Sequence, residues 1–362
     1  MPMPPSPAAP KTPRPQAPTP PLHPALALML LVLLVVGGMC LGLFIAMAGV
    51  GVLYGTGVLM QVTDVMARPQ NHPEGWGVLM LMQGIPLLLG FGGGAWALLT
   101  FTSLRRDAAS RLAWRPFSAT WLLAAIGLII ISVPAMSILI AWNAGLHLPP
   151  FLYSWEKAAR LYEDQAQTLT TFLTRFSSFE RFLVAVVVVA IIPAIAEELT
   201  FRGVVLRQLS RWTNSVHWGV WLSAAVFSAI HVQFFGFFPR MILGVMLGYL
   251  FVWSGNIAVS MAAHFAQNFA QLLLLYLQQR GTIQFDADAN EALPWPLALV
   301  SLLLTAGLLY WLYQRRAELA APPVAEAHTL TSHGVEVRRP APPVAGHTLT
   351  SHGIDSAEPP RA

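Results

Sequence analysis

The sequence predicts an all-α protein, a polytopic transmembrane helical bundle of about eight spans with both termini in the cytoplasm. Three observations predict it. Hydrophobic residues make up 55% of the chain and charged residues only 10%, with a mean hydropathy of +0.58; a soluble globular protein carries about 25% charged residues. Several apolar runs reach the roughly 20 residues that a helix needs to cross the hydrocarbon core. The basic residues cluster in a few loops, where they report orientation.

Met1 to Pro24 is dense in proline with only Lys11 and Arg14 charged, and is expected to stay extended and disordered. The apolar run from Ala25 to Tyr54 is far longer than the roughly 7–15 residues of a signal-peptide core, so it reads as a retained first span. The spans run approximately Ala25–Val50, Gly77–Thr100, Thr120–Trp142, Phe182–Leu206, His217–Phe235, Met241–Trp253, Ile257–Leu277 and Pro294–Tyr313. The sixth is short for a full crossing. Residues 25–142 thus hold three N-terminal helices, and 143–181 form a long polar connection. Within it, "SWEKAARLYEDQAQTLTTFLTRF" places apolar residues at helical intervals, as an amphipathic helix lying at the interface does. Residues 182–279 form a core that bears polar groups, and 280–316 a loop with the last span.

The tail, 317–362, repeats itself: "APPVAEAHTLTSHGV" returns as "APPVAGHTLTSHGI", carrying His328 and His333, then His347 and His352. With no apolar face to fold it, it reads as a duplicated disordered tail. Cys40, the single cysteine, lies inside an apolar run, so neither an intramolecular disulfide nor a cysteine-based metal site is expected.

Arg105, Arg106, Arg111 and Arg115 follow span two, Arg207 and Arg211 follow span four, and Arg315 and Arg316 follow span eight. All fall on one side if the N-terminus is cytoplasmic, which sets the orientation. A net charge of +4 spread in this way argues for a bilayer as the partner and against nucleic acid.

Inside the apolar second half a few polar groups stand out: Glu197, Glu198 and Arg202 on span four, His231 on span five, and His264 with Asn268 on span seven. Ionised groups at that depth are costly and face a cavity, a partner or a reaction. Glu198 and Arg202, four apart with the acid first, can neutralise each other. Glu197 points about 100° away and has no local cation. His264 and Asn268 share one helix face. At ~1.5 Å per residue, Glu197 lies roughly 15 Å inward from Arg207, Asn268 roughly 17 Å from Ile257 and His231 about 20 Å from His217. All three spans therefore bring their polar groups to middle depth, approached from the cytoplasmic side.

A carboxylate without a cation in a low-dielectric site has a raised proton affinity, which suits a general base for water. A histidine can orient that water, and an Asn amide with a histidine N–H can donate to the oxyanion formed when water attacks an amide. These are the parts of a peptide hydrolase. A proton-coupled transporter also uses buried Glu and His, though no inverted repeat is visible. A catalytically silent membrane scaffold stays open as well.

These residues resemble the intramembrane CAAX protease and bacteriocin-processing (CPBP) family, which includes the type II CAAX prenyl endopeptidases. Its three motifs read here "EELTFR" (Glu197 to Arg202), "HVQFF" (His231 to Phe235) and "HFAQN" (His264 to Asn268), in that order over roughly Phe182 to Gln279. The resemblance implies an endopeptidase of the cell membrane that acts on a membrane-associated protein or peptide. By it, Glu197 and His231 activate water, His264 and Asn268 hold the oxyanion, Glu198 and Arg202 support, and Phe235 forms a cavity wall. It favours a metal-free glutamate mechanism. Were zinc used, Glu197, His231 and His264 would be its ligands.

Overall fold

The computed structural model describes residues 22–101, 118–283 and 292–320, the last three by backbone alone. The proline-rich segment up to residue 21, the loop that carries Arg105 to Arg115 and the duplicated tail with its histidines lie outside the described residues. Every described element is helical.

Among the described residues, seven helices are long and apolar enough to cross a membrane: α1 (Pro24–Tyr54), α2 (Gly75–Phe101), α3 (Ala119–Ala144), α5 (Phe179–Thr213), α7 (Phe234–Ser254), α8 (Ile257–Gln279) and α9 (Trp295–Ala317). Between α3 and α5 lies α4 (Tyr153–Leu173), the amphipathic helix, whose Trp155, Leu161 and Tyr162 stay exposed. Between α5 and α7 lies α6 (Val216–Ala229), apolar but only 14 residues long.

The fifth and sixth apolar stretches divide differently from the expectation. The helix stops at Ala229, and the restart at Phe234 makes α7 the long one. The cause is local. Val232 adopts φ +55°, a left-handed conformation that a β-branched residue rarely takes, and it turns the chain out of the helix. Pro239 then sits in the first α-helical turn of α7, where its missing N–H is not needed.

Successive crossings sort the ends of the helices onto two faces. On the first face, Arg211 Nη2 donates to the Leu22 carbonyl (3.1 Å), and His217 Nδ1 lies 2.8 Å from the Tyr249 hydroxyl. On the second face, Trp76 Nε1 donates to the Leu173 carbonyl (2.8 Å), while Gln279 Nε2 donates to the Thr174 carbonyl (2.9 Å) and its Oε1 accepts the Phe176 N–H (2.8 Å). Buried Asn143, at the end of α3, donates to the Phe234 carbonyl and accepts the Phe238 N–H (3.0 Å). These ties fix α4 and the α6–α7 turn on the second face.

α1 meets α2 through a glycine seam. A Cβ at Gly38 would lie 2.3 Å from the Leu89 carbonyl oxygen, and one at Gly42 2.6 Å from Pro86 Cα. Small residues four apart allow such close backbone approach between membrane helices. Gly42→Ala is expected to cost about 1–3 kcal/mol through overpacking, read as a lower Tm in detergent. An unchanged Tm would mean that α1 and α2 do not touch here.

Glu156 anchors α4 to the end of α3. Its Oε2 accepts the Leu148 N–H (2.8 Å); its Oε1 accepts Arg160 Nε (3.0 Å) and lies 2.9 Å from His147 Nδ1. Arg160 Nη2 also donates to the Leu146 carbonyl (2.7 Å). The Leu148 N–H, then Arg160 and His147, hold the Glu156 carboxyl at about 2, down from 4.5. A depressed carboxylate pKa contributes stability above its unfolded value and loses it below. The α4 anchor should therefore be whole above about pH 4.5 and weaken as the pH falls toward about 2. Thermal unfolding followed against pH should show this dependence in wild type and less of it in Glu156→Gln.

Candidate active site

α5 carries the acid doublet between two wide, π-helical turns, Val186–Ile191 and Leu199–Val205. Such turns are frequent at functional sites. The upstream one has a visible companion: Pro193 has no N–H to return to the Val189 carbonyl four residues earlier, as an α-helix requires. Asn268 Nδ2, from α8, donates to that carbonyl (3.2 Å). The carboxamide is thus fixed on an acceptor that lacks its α-helical donor.

Glu198 and Arg202 are almost fully buried, and Arg202 Nη1 donates to Glu198 Oε1 at 2.6 Å. Arg202 Nη2 donates to the Gly244 carbonyl (2.8 Å), with the guanidinium 5.2 Å from the centre of the Phe227 ring. The same Glu198 oxygen lies 3.0 Å from His264 Nδ1, while His264 Nε2 lies 3.8 Å from Glu197 Oε2. His264 therefore bridges the two acids, one ring nitrogen toward each.

His231, in the α6–α7 turn, has its Nδ1 2.8 Å from the Phe227 carbonyl. A carbonyl only accepts, so Nδ1 carries the proton, and in the neutral ring Nε2 keeps its lone pair. The ring packs edge-on against Phe227, centroids 5.1 Å apart.

Glu197, His231, His264 and Asn268 line one cavity of about 280 Å³. Three separate elements supply them: α5, the α6–α7 turn and α8. Glu198 and Arg202 lie behind this wall, outside the lining. Phe235 does not line the cavity either, contrary to expectation: its N–H donates to Glu163 Oε1 (3.0 Å) and its ring lies under Arg160, 3.9 Å from the guanidinium carbon. Among the described residues no group of three or more His, Cys, Asp or Glu is arranged to hold a metal ion.

The direction of approach also differs from the expectation. Gln167, Thr170 and Thr174 of the α4 segment form part of the lining, so the cavity meets the second face. Toward the first face, buried Leu206, Val220, Phe251 and Ile257 pack into one apolar cluster. Depth counted from Arg207 or Ile257 started from the face opposite the one that α4 lines.

Among the lining residues that escaped the sequence reading are two polar ones on the spans, Gln271 and Arg240. Gln271 lies one turn beyond Asn268 on the same face of α8, a signal that helical spacing carries. Arg240 stands alone in the apolar stretch "FGFFPRMILGV"; its Nη2 donates to Gln233 Oε1 (2.6 Å), and its buried Nη1 has no hydrogen-bond partner.

The family model for the type II CAAX prenyl endopeptidase Rce1-like proteins matches residues 179–270. The uncharacterized protein YpbD of Bacillus subtilis (strain 168) is 29% identical over 90 residues, which is 24% of this chain and 43% of that protein. The chain thus covers less than half the length of this curated relative. No solved structure matches. The matched stretch runs from the start of α5 to two residues past Asn268, so it takes in both acids, both imidazoles and the carboxamide.

Proposed function

We propose that the protein is an intramembrane endopeptidase of the cell membrane that hydrolyses a peptide bond in a membrane-associated protein or peptide with activated water. The observation that carries this reading is the convergence of Glu197, His231, His264 and Asn268 on one cavity. Glu197 takes a proton from water, whose oxygen attacks the amide carbonyl carbon. The oxyanion that forms accepts from Asn268 and from His264 Nε2. Since His264 Nδ1 already faces Glu198, Nε2 donates to the oxyanion when the ring carries both protons. Collapse breaks the C–N bond, and the proton returns to the leaving amine from Glu197. His231, with Nε2 open as an acceptor, orients the water or relays its proton. Arg240 offers spare N–H donors to a substrate carbonyl or carboxylate.

The test is purified protein in detergent incubated with a peptide library, the products read by mass spectrometry. New cleavage products that vanish with the Asn268→Ala variant support the reading; no product from any pool, with the protein folded, overturns it. No step here passes through a metal. Cleavage is therefore expected to persist in 1,10-phenanthroline, and a loss that zinc alone restores would replace this mechanism with a metal-dependent one.

A further inference from the structure

We infer that the cavity receives its substrate from the non-cytoplasmic side of the membrane, so that it cuts an exported peptide or the extracytoplasmic segment of a membrane protein. The cutting rests on the hydrolase reading above; the side rests on geometry and charge alone.

The geometry gives one entrance. α5 enters from the second face at Phe179; of its lining residues, Val189 and Pro193 lie in the half nearer that end and Glu197 at the middle of the helix. α8 leaves at Gln279; of its lining residues, Gln271, Leu272 and Leu275 lie in its later half, Asn268 at its middle and His264 one turn before that. His231 lies in a turn that Asn143 holds at the second face, and α4 contributes polar side chains at the mouth. The apolar cluster of Leu206, Val220, Phe251 and Ile257 lies on the other side of the site.

Charge then names the faces. The short connection from Phe101 to Ser118 carries Arg105, Arg106, Arg111 and Arg115, and both its ends belong to the first face. Arg207 and Arg211 end α5 there, Arg315 and Arg316 end α9 there, and Lys11 and Arg14 precede α1. On the second face, Arg68 lies 3.7 Å from Asp64 and Arg160 is bound to Glu156, while Lys157, Arg175, Arg181 and Arg280 are spread singly along the chain. Basic residues in short loops near helix ends stay in the cytoplasm, so the first face is cytoplasmic and the mouth opens away from it. A lipidated tail waiting in the cytoplasm would meet the closed face.

Cysteine labelling tests this without any turnover. In a Cys40→Ala background, Gln167→Cys marks the mouth and Thr213→Cys the first face; both native side chains are exposed. A membrane-impermeant maleimide on intact cells should label Gln167→Cys and leave Thr213→Cys unlabelled until the cells are permeabilised. A second pair, Asp164→Cys and Asn214→Cys, should repeat the pattern if either first variant folds poorly. Labelling at the mouth only after permeabilisation, or equal labelling of both faces, overturns the inference. The hydrolase reading would survive that result, since the peptide-library assay in detergent has no sides.

Discussion

Glu197→Gln is expected to reduce the hydrolysis rate by about 10²–10⁴-fold, the usual contribution of a positioned general base. The amide keeps the size of the carboxylate and can still hold a water, but it cannot take the proton. The fold should be untouched, because Glu197 does not belong to the Glu198–Arg202 ion pair and contacts His264 only at 3.8 Å. Thermal stability equal to or above wild type is expected, since an ionised group is removed from an apolar bundle. The measurement is turnover of a peptide product found in the library assay, beside a melting curve of the same preparation. A Gln variant as fast as wild type would place water activation elsewhere, whatever its stability.

Arg202→Ala should have the opposite profile and destabilise the protein by about 3–5 kcal/mol, because truncating one partner of a buried ion pair strands the other charge. Three interactions go at once: the 2.6 Å bond to Glu198, the 2.8 Å bond to the Gly244 carbonyl and the contact over the Phe227 ring. Glu198 would then lose its cation and draw on His264, pulling that ring out of its bridge between the acids. The double variant Glu198→Gln, Arg202→Met leaves no buried charge unpaired and should recover part of the lost stability. Unfolding in detergent reads the difference. If Arg202→Ala and the double variant melt alike, the pair contributes no such coupling.

The helical class was legible because apolar runs of this length leave a bilayer chain few other choices. The end of α6 was not. Hydropathy runs unbroken through residues 217–235, and the stop depends on one dihedral angle at Val232 that no composition encodes. Within the site, the Glu198–Arg202 pair was readable because its spacing is local. The bridge from His264 to both acids joins positions 66 apart, so the sequence shows the histidine as conspicuous without saying what it touches. The grip of Asn268 on the Val189 carbonyl was half-readable, since Pro193 announces a missing donor but not its replacement. The seat of α4 at the mouth was hidden. An amphipathic pattern fits any interface, and only the partners of Glu156, Glu163 and Leu173 decide which one.

The widened turns on either side of Ile192–Glu198 make residue count, as well as residue identity, a determinant of the chemistry. Removing a single residue from Val186–Ile191 would advance everything after it by one place, a swing of about 100°. Glu198 would then present itself where Glu197 now faces the cavity, and Gly203 would stand where Arg202 neutralises its partner. Every functional side chain would still be encoded, and Glu198 and Arg202 would still pair, but no longer where α7 and α8 now meet them.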